Sequence, residues 1–157
     1  MSVESVRRYL NQFGASNRII ELQESSATVA LAAHALHTQP ERIAKSLTFL
    51  VSKRPILIVL AGDARIANPK FKRQFQVKAH MLPRDQVEGL IGQPVGGVCP
   101  FALKAGVAVY LDQSLRQFTS VFPAAGSPNS AIEVTLPELE QYSHALGWVD
   151  IAKEPAA

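Results

Sequence analysis

Cysteine is all but missing. The chain of 157 residues has one, Cys99, which excludes an intramolecular disulfide and any multi-cysteine zinc site and fits a reducing compartment. Long hydrophobic runs are missing too. The longest apolar stretch, Ile56 to Ala61, is strand-sized and far short of the ~20 residues that a membrane helix requires. Met1 to Arg8 lacks the basic-then-apolar order of a signal peptide, so a cytoplasmic protein with no membrane partner is expected. Neither sign of charge dominates. Sixteen Lys+Arg against thirteen Asp+Glu leave a net charge of +3 and a pI near 9.2, a surplus that permits attraction to a polyanion without demanding it. Several motifs are absent as well: the Gly-x-x-x-x-Gly-Lys-Ser/Thr phosphate loop, Gly-x-Gly-x-x-Gly, His-Glu-x-x-His and the Gly-x-Ser-x-Gly elbow. No cofactor and no metal are expected.

What is present reads as an ordinary folded domain, with 47% hydrophobic and 18% charged residues, 9 Gly and 10 Pro. A chain this long buries roughly two-thirds of the surface its unfolded form exposes, enough for a core without staples. One domain over residues 1–157 is expected.

Val6, Leu10 and Phe13 recur at helical spacing behind a Ser2 cap and before Gly14, which predicts a first helix. Arg18 to Leu22 reads as a strand. Ser25, Ser26 and Thr28 offer caps for an Ala-rich helix through Leu36, and Pro40 opens a further turn. Ser46 to Val51 and Ile56 to Ala61, separated by Lys53-Arg54-Pro55, predict two adjacent strands. Asn68-Pro69 caps a basic helix over Lys70 to Phe75, and another helix spans Pro83 to Leu90 with its end near Gly92. Three Gly and two Pro between Gly92 and Phe101 predict a shaped loop. Strands follow at Val107 to Leu111 and Ala131 to Thr135, then a last helix from Pro137 to a stop at Gly147. Lys153 to Ala157 is expected to fray. Helices and strands mix without strict alternation, so the fold class is α/β or α+β around a mixed sheet.

Few side chains stand out as chemistry. His34 and His37 share a helix face, yet no nearby carboxylate or cysteine completes a metal site. Cys99 lies in the Gly/Pro loop without a neighbour to lower its pKa or act as its base, which favours a bystander thiol over a nucleophile. Lys45 sits where a helical turn meets an apolar strand. Locally that pattern favours a lysine whose stem covers apolar surface; a functional lysine needs a second feature nearby in space.

The second feature comes from several segments taken together. Thr28 to Ala33 followed by Pro40 to Leu47, Val59 to Arg65 with its Gly-Asp turn, the Gly96-Gly97-Val98-Cys99-Pro100-Phe101 loop, Val107 to Asp112, and Ala124 to Ser127 resemble the YbaK and prolyl-tRNA synthetase insertion-domain superfamily of aminoacyl-tRNA deacylases. Each motif is weak alone; their order and spacing are specific. The resemblance implies a mixed β-barrel-like sheet surrounded by helices. It implies an enzyme, a carboxylic ester hydrolase that frees a wrongly attached small amino acid from tRNA, with the acceptor end of aminoacyl-tRNA as substrate and a synthetase as candidate partner.

By the same resemblance Lys45 is the functional lysine, and the loop of Gly96, Gly97, Val98, Cys99 and Pro100 cradles the aminoacyl group. Gly126 and Ser127 stand as the opposite wall, with Thr28, Ser46 and Asp63 as polar lining. Bland alternatives are a helix cap for Thr28, an exposed strand position for Ser46 and a turn residue for Asp63. Lys70, Lys72 and Arg73, with Lys53 and Arg54, are candidates for tRNA phosphates or for a merely solvated face. The histidine that some alanine-removing relatives carry near the second glycine turn is absent from Ala125 to Ser130, which leaves Ala, Ser, Cys, Pro and Thr open as substrates. Two other functions fit the residues: a binding module for aminoacyl-tRNA or a synthetase without turnover, and a small-ester hydrolase using Cys99 or a serine.

Overall fold

The structure, a computed structural model, describes residues 3–154. Helix α1 (Val3–Asn11) buries Val6 and Leu10 as their spacing predicts; the expected Ser2 cap lies outside the described residues. Strand β1 is only Ile20–Glu21, shorter than expected because Ser16–Arg18 winds into a 3-10 turn. Helix α2 (Val29–Leu36) starts where Thr28 accepts a hydrogen bond from the Leu31 N–H, the expected cap. Pro40–Arg42 forms the further turn.

Strands β2 (Ile43–Val51) and β3 (Arg54–Ala61) pair antiparallel in an eight-residue register from Ala44↔Ala61 to Val51↔Arg54. Ser52 and Lys53 close the hairpin with φ of 50° and 70°, the left-handed pair that matches strand twist. Helices α3 (Asn68–Phe75) and α4 (Arg84–Ile91) follow, the first capped by Ala67 rather than Asn68. Strand β4 (Ala108–Asp112) then pairs parallel with β3.

Strands β5 (Ser120–Pro123), β6 (Ser130–Ala131), β7 (Val134–Thr135) and β8 (Gly147–Val149) complete a mixed, curled six-stranded sheet of order β7-β5-β2-β3-β4-β8 and a small β1-β6 pair. One face places Ala44, Leu57, Val59 and Leu111 against α1 and against Leu139 of α5 (Leu136–Ser143). The other face packs Phe49, Ile58 and Leu60 on Phe71 of α3 and on Ile151. Near the ends of β2, α2 seats Ala32 and Ala33 on Ile43 and Phe122, while α4 packs Val87 and Ile91 beside Val98. A cleft opens between those two helices.

Three expectations are corrected, and two strands are unforeseen. Ala131 to Thr135 is not one strand, because Ile132 donates its N–H to Pro123 O and the chain changes partner from β1 to β5. The last helix ends at Ser143, with His144 in the left-handed conformation as its cap, so Gly147 begins β8 instead of stopping a helix. Strands β5 and β8 have no counterpart among the expected elements. Lys153 is not frayed, since its N–H reaches Arg65 O at 2.8 Å, and Glu154 pairs with Lys70 at 2.7 Å; residues 155–157 lie outside the described residues.

Candidate functional site

Lys45 is the third residue of β2, and strand alternation sets it on the face of Leu47 and Phe49. Its half-buried side chain ends at the turn after β3, where Nζ donates to Gly62 O at 3.1 Å and to Ala64 O. Gly62 makes this turn possible. A Cβ there would lie 2.0 Å from the Pro40 carbonyl oxygen, so no other residue allows so close an approach to Pro40. Burial lowers the Lys45 pKa, opposed by the nearby Asp63 carboxylate and reinforced by Arg65. An ammonium carries three donors; two engage the carbonyls, and one is left for the cleft that Lys45 lines.

The Gly/Pro loop forms another wall of that cleft. Gly96 takes φ of 90°, and Gly97 is pressed so close to the neighbouring turn that a Cβ would sit 2.6 Å from Ser127 Cα. The Gly97 N–H is turned back to Pro94 O and the Cys99 N–H to Gln93 Oε1. The N–H groups of Gly96 and Val98, by contrast, have no acceptor among the described residues, and both residues line the cleft. Unpaired amides beside a cavity are ready-made donors for a developing oxyanion.

The cleft holds about 340 Å3. Its lining is mainly apolar, with Val29, Ala32, Ile43, Leu82 and Phe122 among the wall residues, and its polar groups include Thr28, Ser46, Thr48 and Ser130. The buried Ser46 Oγ has no hydrogen-bond partner among the described residues. A hydroxyl in that state is an acceptor and donor waiting for a ligand or water.

The sequence-derived site residues divide into two sets. Lys45, Gly96, Val98, Thr28 and Ser46 line one cleft. Thr28 also caps α2, so its functional and structural readings coincide. Gly97 abuts Ser127, whose hydroxyl is engaged by Ser130 Oγ at 2.8 Å and Asn129 Oδ1 at 2.9 Å, while Ser130 itself faces the cleft. Cys99, Pro100 and Gly126 are buried and off the cleft lining. Burial pushes the Cys99 thiol up to about 12, which suppresses the thiolate. Asp63 is exposed and lines a separate groove beyond the Gly62 turn, reaching Lys45 through its charge alone.

Lys70 is engaged by Asp150 at 3.1 Å and Glu154 at 2.7 Å. Lys72 and Arg73 are exposed on α3 and have no side-chain partner among the described residues. Arg84 also lines the cleft, and sequence reasoning missed it. A signal existed: Arg84 opens α4, where the helix dipole disfavours a cation.

Residues 23–142 match the model of the aminoacyl-tRNA editing domain. A Bacillus subtilis (strain 168) protein, the uncharacterized YwhH, is 46% identical over 155 residues, 98% of this chain and 99% of that protein. The proline–tRNA ligase of Geobacillus kaustophilus (strain HTA426) is 28% identical over 94 residues, 59% of this chain and 17% of the ligase. A crystal structure of a proposed trans-editing enzyme for prolyl tRNA synthetase superposes with a TM-score of 0.87 at 27% identity, covering 97% of each chain.

Proposed function

The chain belongs to the aminoacyl-tRNA editing domain family, and from that premise we propose that it is a trans-editing deacylase that releases a small amino acid from mischarged tRNA. The observation that carries the proposal is that Lys45 and two residues with unpaired amides among the described residues, Gly96 and Val98, line one cleft. The whole of residues 1–157 is read as one editing domain acting where tRNA is charged, in the cytoplasm.

An aminoacyl ester is already reactive, so orientation, a placed water and oxyanion stabilisation suffice. The Lys45 ammonium, steadied by the Gly62 and Ala64 carbonyls, holds a phosphate or ribose oxygen of the terminal adenosine. The Gly96 and Val98 amides take the ester carbonyl oxygen. The water oxygen bonds to the acyl carbon, negative charge gathers on the carbonyl oxygen, and collapse breaks the bond to the ribose. The departing ribose oxygen takes the proton that water gives up, relayed by the neighbouring ribose hydroxyl. No side-chain nucleophile is needed. The mainly apolar walls of the cleft suit a small, uncharged amino-acid side chain. Arg84 at the cleft and Lys72 and Arg73 on α3 supply charge for the acceptor-end phosphates, and Lys70 joins them by exchanging its carboxylate partners. A synthetase that mischarges the tRNA is the natural partner.

A panel of tRNAs charged with Ala, Ser, Cys, Pro, Thr and a large residue such as Phe tests the reading. Release of one or more small amino acids and retention of Phe is expected. Tight tRNA binding with no release from any member would make the protein a binding module, and a trapped acyl-Cys99 would make it a thiol hydrolase.

A further inference from the structure

Gln93 is a polar residue with no solvent to satisfy it, since it is 1% exposed at the base of the Gly/Pro loop. Its amide is instead used entirely inside the loop. Oε1 accepts from the Cys99 N–H at 2.7 Å, while Nε2 donates to Phe101 O at 2.5 Å and to Cys99 Sγ at 3.4 Å. With the Gly97 N–H turned to Pro94 O at 3.0 Å, these bonds close residues 93–101 into a ring. Gly96 and Val98 stand on its cleft side and Cys99 on its core side. Val98 Cα joins the Val98–Cys99 peptide that Gln93 grips to the Gly97–Val98 peptide that carries the Val98 N–H, so fixing the first restrains the second.

We propose that Gln93 is a positioning residue that aims the backbone donors of the Gly96 to Val98 loop at the reacting carbonyl. The proposal rests on the deacylase reading above and goes beyond it by naming what preorganises its oxyanion donors. Gln93 touches no substrate. Its effect passes through the Cys99 and Phe101 peptides, and its amide suits the task because it presents one acceptor and one donor in a fixed plane. Buried networks of this kind hold only when every member is satisfied.

The chemistry predicts an unusual variant. In Gln93→Glu, a protonated carboxyl group still accepts from the Cys99 N–H and donates to Phe101 O, whereas the ionised form has no proton for that carbonyl. Burial raises the pKa of such a group. The ratio of variant to wild-type kcat is therefore expected to be near one at low pH and to fall, by at least about twofold at pH 9, as pH rises through the pKa of the buried carboxyl, which reaches about 8–9 for buried glutamates. Gln93→Leu, which lacks both bonds, is expected to lose about tenfold to a hundredfold in kcat at every pH, a loss of the order of a misplaced oxyanion donor. KM stays within about twofold, because ground-state binding is untouched.

Both variants are assayed below their melting temperatures on the tRNA that wild type deacylates best, and the Gly96 and Val98 amide resonances are followed by NMR. A kcat loss without a KM change, together with displaced Gly96 and Val98 resonances and a pH-dependent Gln93→Glu ratio, supports the proposal. A folded Gln93→Leu with wild-type kcat, or a Gln93→Glu ratio flat with pH, overturns it. Should Gln93→Leu fail to fold, the pH dependence of the Gln93→Glu ratio decides alone. A wild-type protein inert on every charged tRNA would remove the deacylase reading instead; the loop effect is then judged by the resonances, and unmoved resonances overturn it.

Discussion

Cys99 occupies the loop position where a nucleophile would be sought, and its environment rules against that role. Its thiol is fully buried, bonded to Gln93 and the Phe101 carbonyl, and shifted up to about 12 chiefly by burial. Native protein treated with iodoacetamide at about pH 8, where an ordinary thiol reacts, is expected to stay unlabelled and to label once unfolded; fast native labelling would show an accessible thiolate. Glu138 marks a different residue-scale effect. Its carboxylate is held down to about 2, first by the hydrogen bond from Arg18, and it also closes the capping box of α5 with Thr135. A carboxylate whose folded pKa lies below its unfolded value near 4.5 stabilises the fold above that value. The contribution is lost as pH falls from about 4.5 toward about 2. Urea titrations are expected to show wild type more stable than Glu138→Gln at neutral pH, with the gap closing over that acid range. A gap independent of pH would contradict the assignment.

At the scale of elements, the cleft depends on two surfaces held together by a missing side chain. Gly97 lies against the Ser127 backbone with no room for a Cβ, the added atom falling 2.6 Å from Cα and 2.7 Å from N. Backbone atoms cannot step aside as a side-chain tip can, so Gly97→Ala is expected to cost about 2–4 kcal/mol. It should also lower deacylation more than Gly89→Ala, where nothing lies within 4 Å; equal melting temperatures for the two variants would refute the close packing. The same element shows what the sequence could reveal. Gly-rich composition betrays a shaped loop, and its resemblance to an editing family points to its use. Thr28 announces α2, and the Ile56 to Ala61 run announces β3, because both signals are local. Strands β5 and β8 escaped, since four and three residues carry no period and exist through pairing with distant strands. Ser130 escaped for a related reason, since only tertiary packing brings it to the cleft, and Gln93 lies in the loop sequence but gains its partners only when the loop folds back on it.

For the whole molecule, the question is how a small, mildly basic protein holds a large polyanion. A net charge of +3 supplies little long-range attraction, so binding must rest on a few placed cations. Lys72 and Arg73 are exposed and unengaged, whereas Lys70 is shared by two carboxylates. Lys72→Glu combined with Arg73→Glu is expected to weaken tRNA binding and to reduce the salt slope by about one for each phosphate no longer neutralised. An unchanged slope would return α3 to the role of a solvated face.

Deacylation is assigned to the cleft, which a half-buried ammonium and two residues with unpaired amides among the described residues line together. The decisive measurement is single-turnover release of the amino acid from the preferred mischarged tRNA by wild type and by Lys45→Ala, with the melting temperature of each recorded. The prediction is a rate lowered about a hundredfold or more in a variant that stays folded and gives up only the stability of its bonds to the Gly62 and Ala64 carbonyls. A folded Lys45→Ala that releases the amino acid at the wild-type rate would contradict the account.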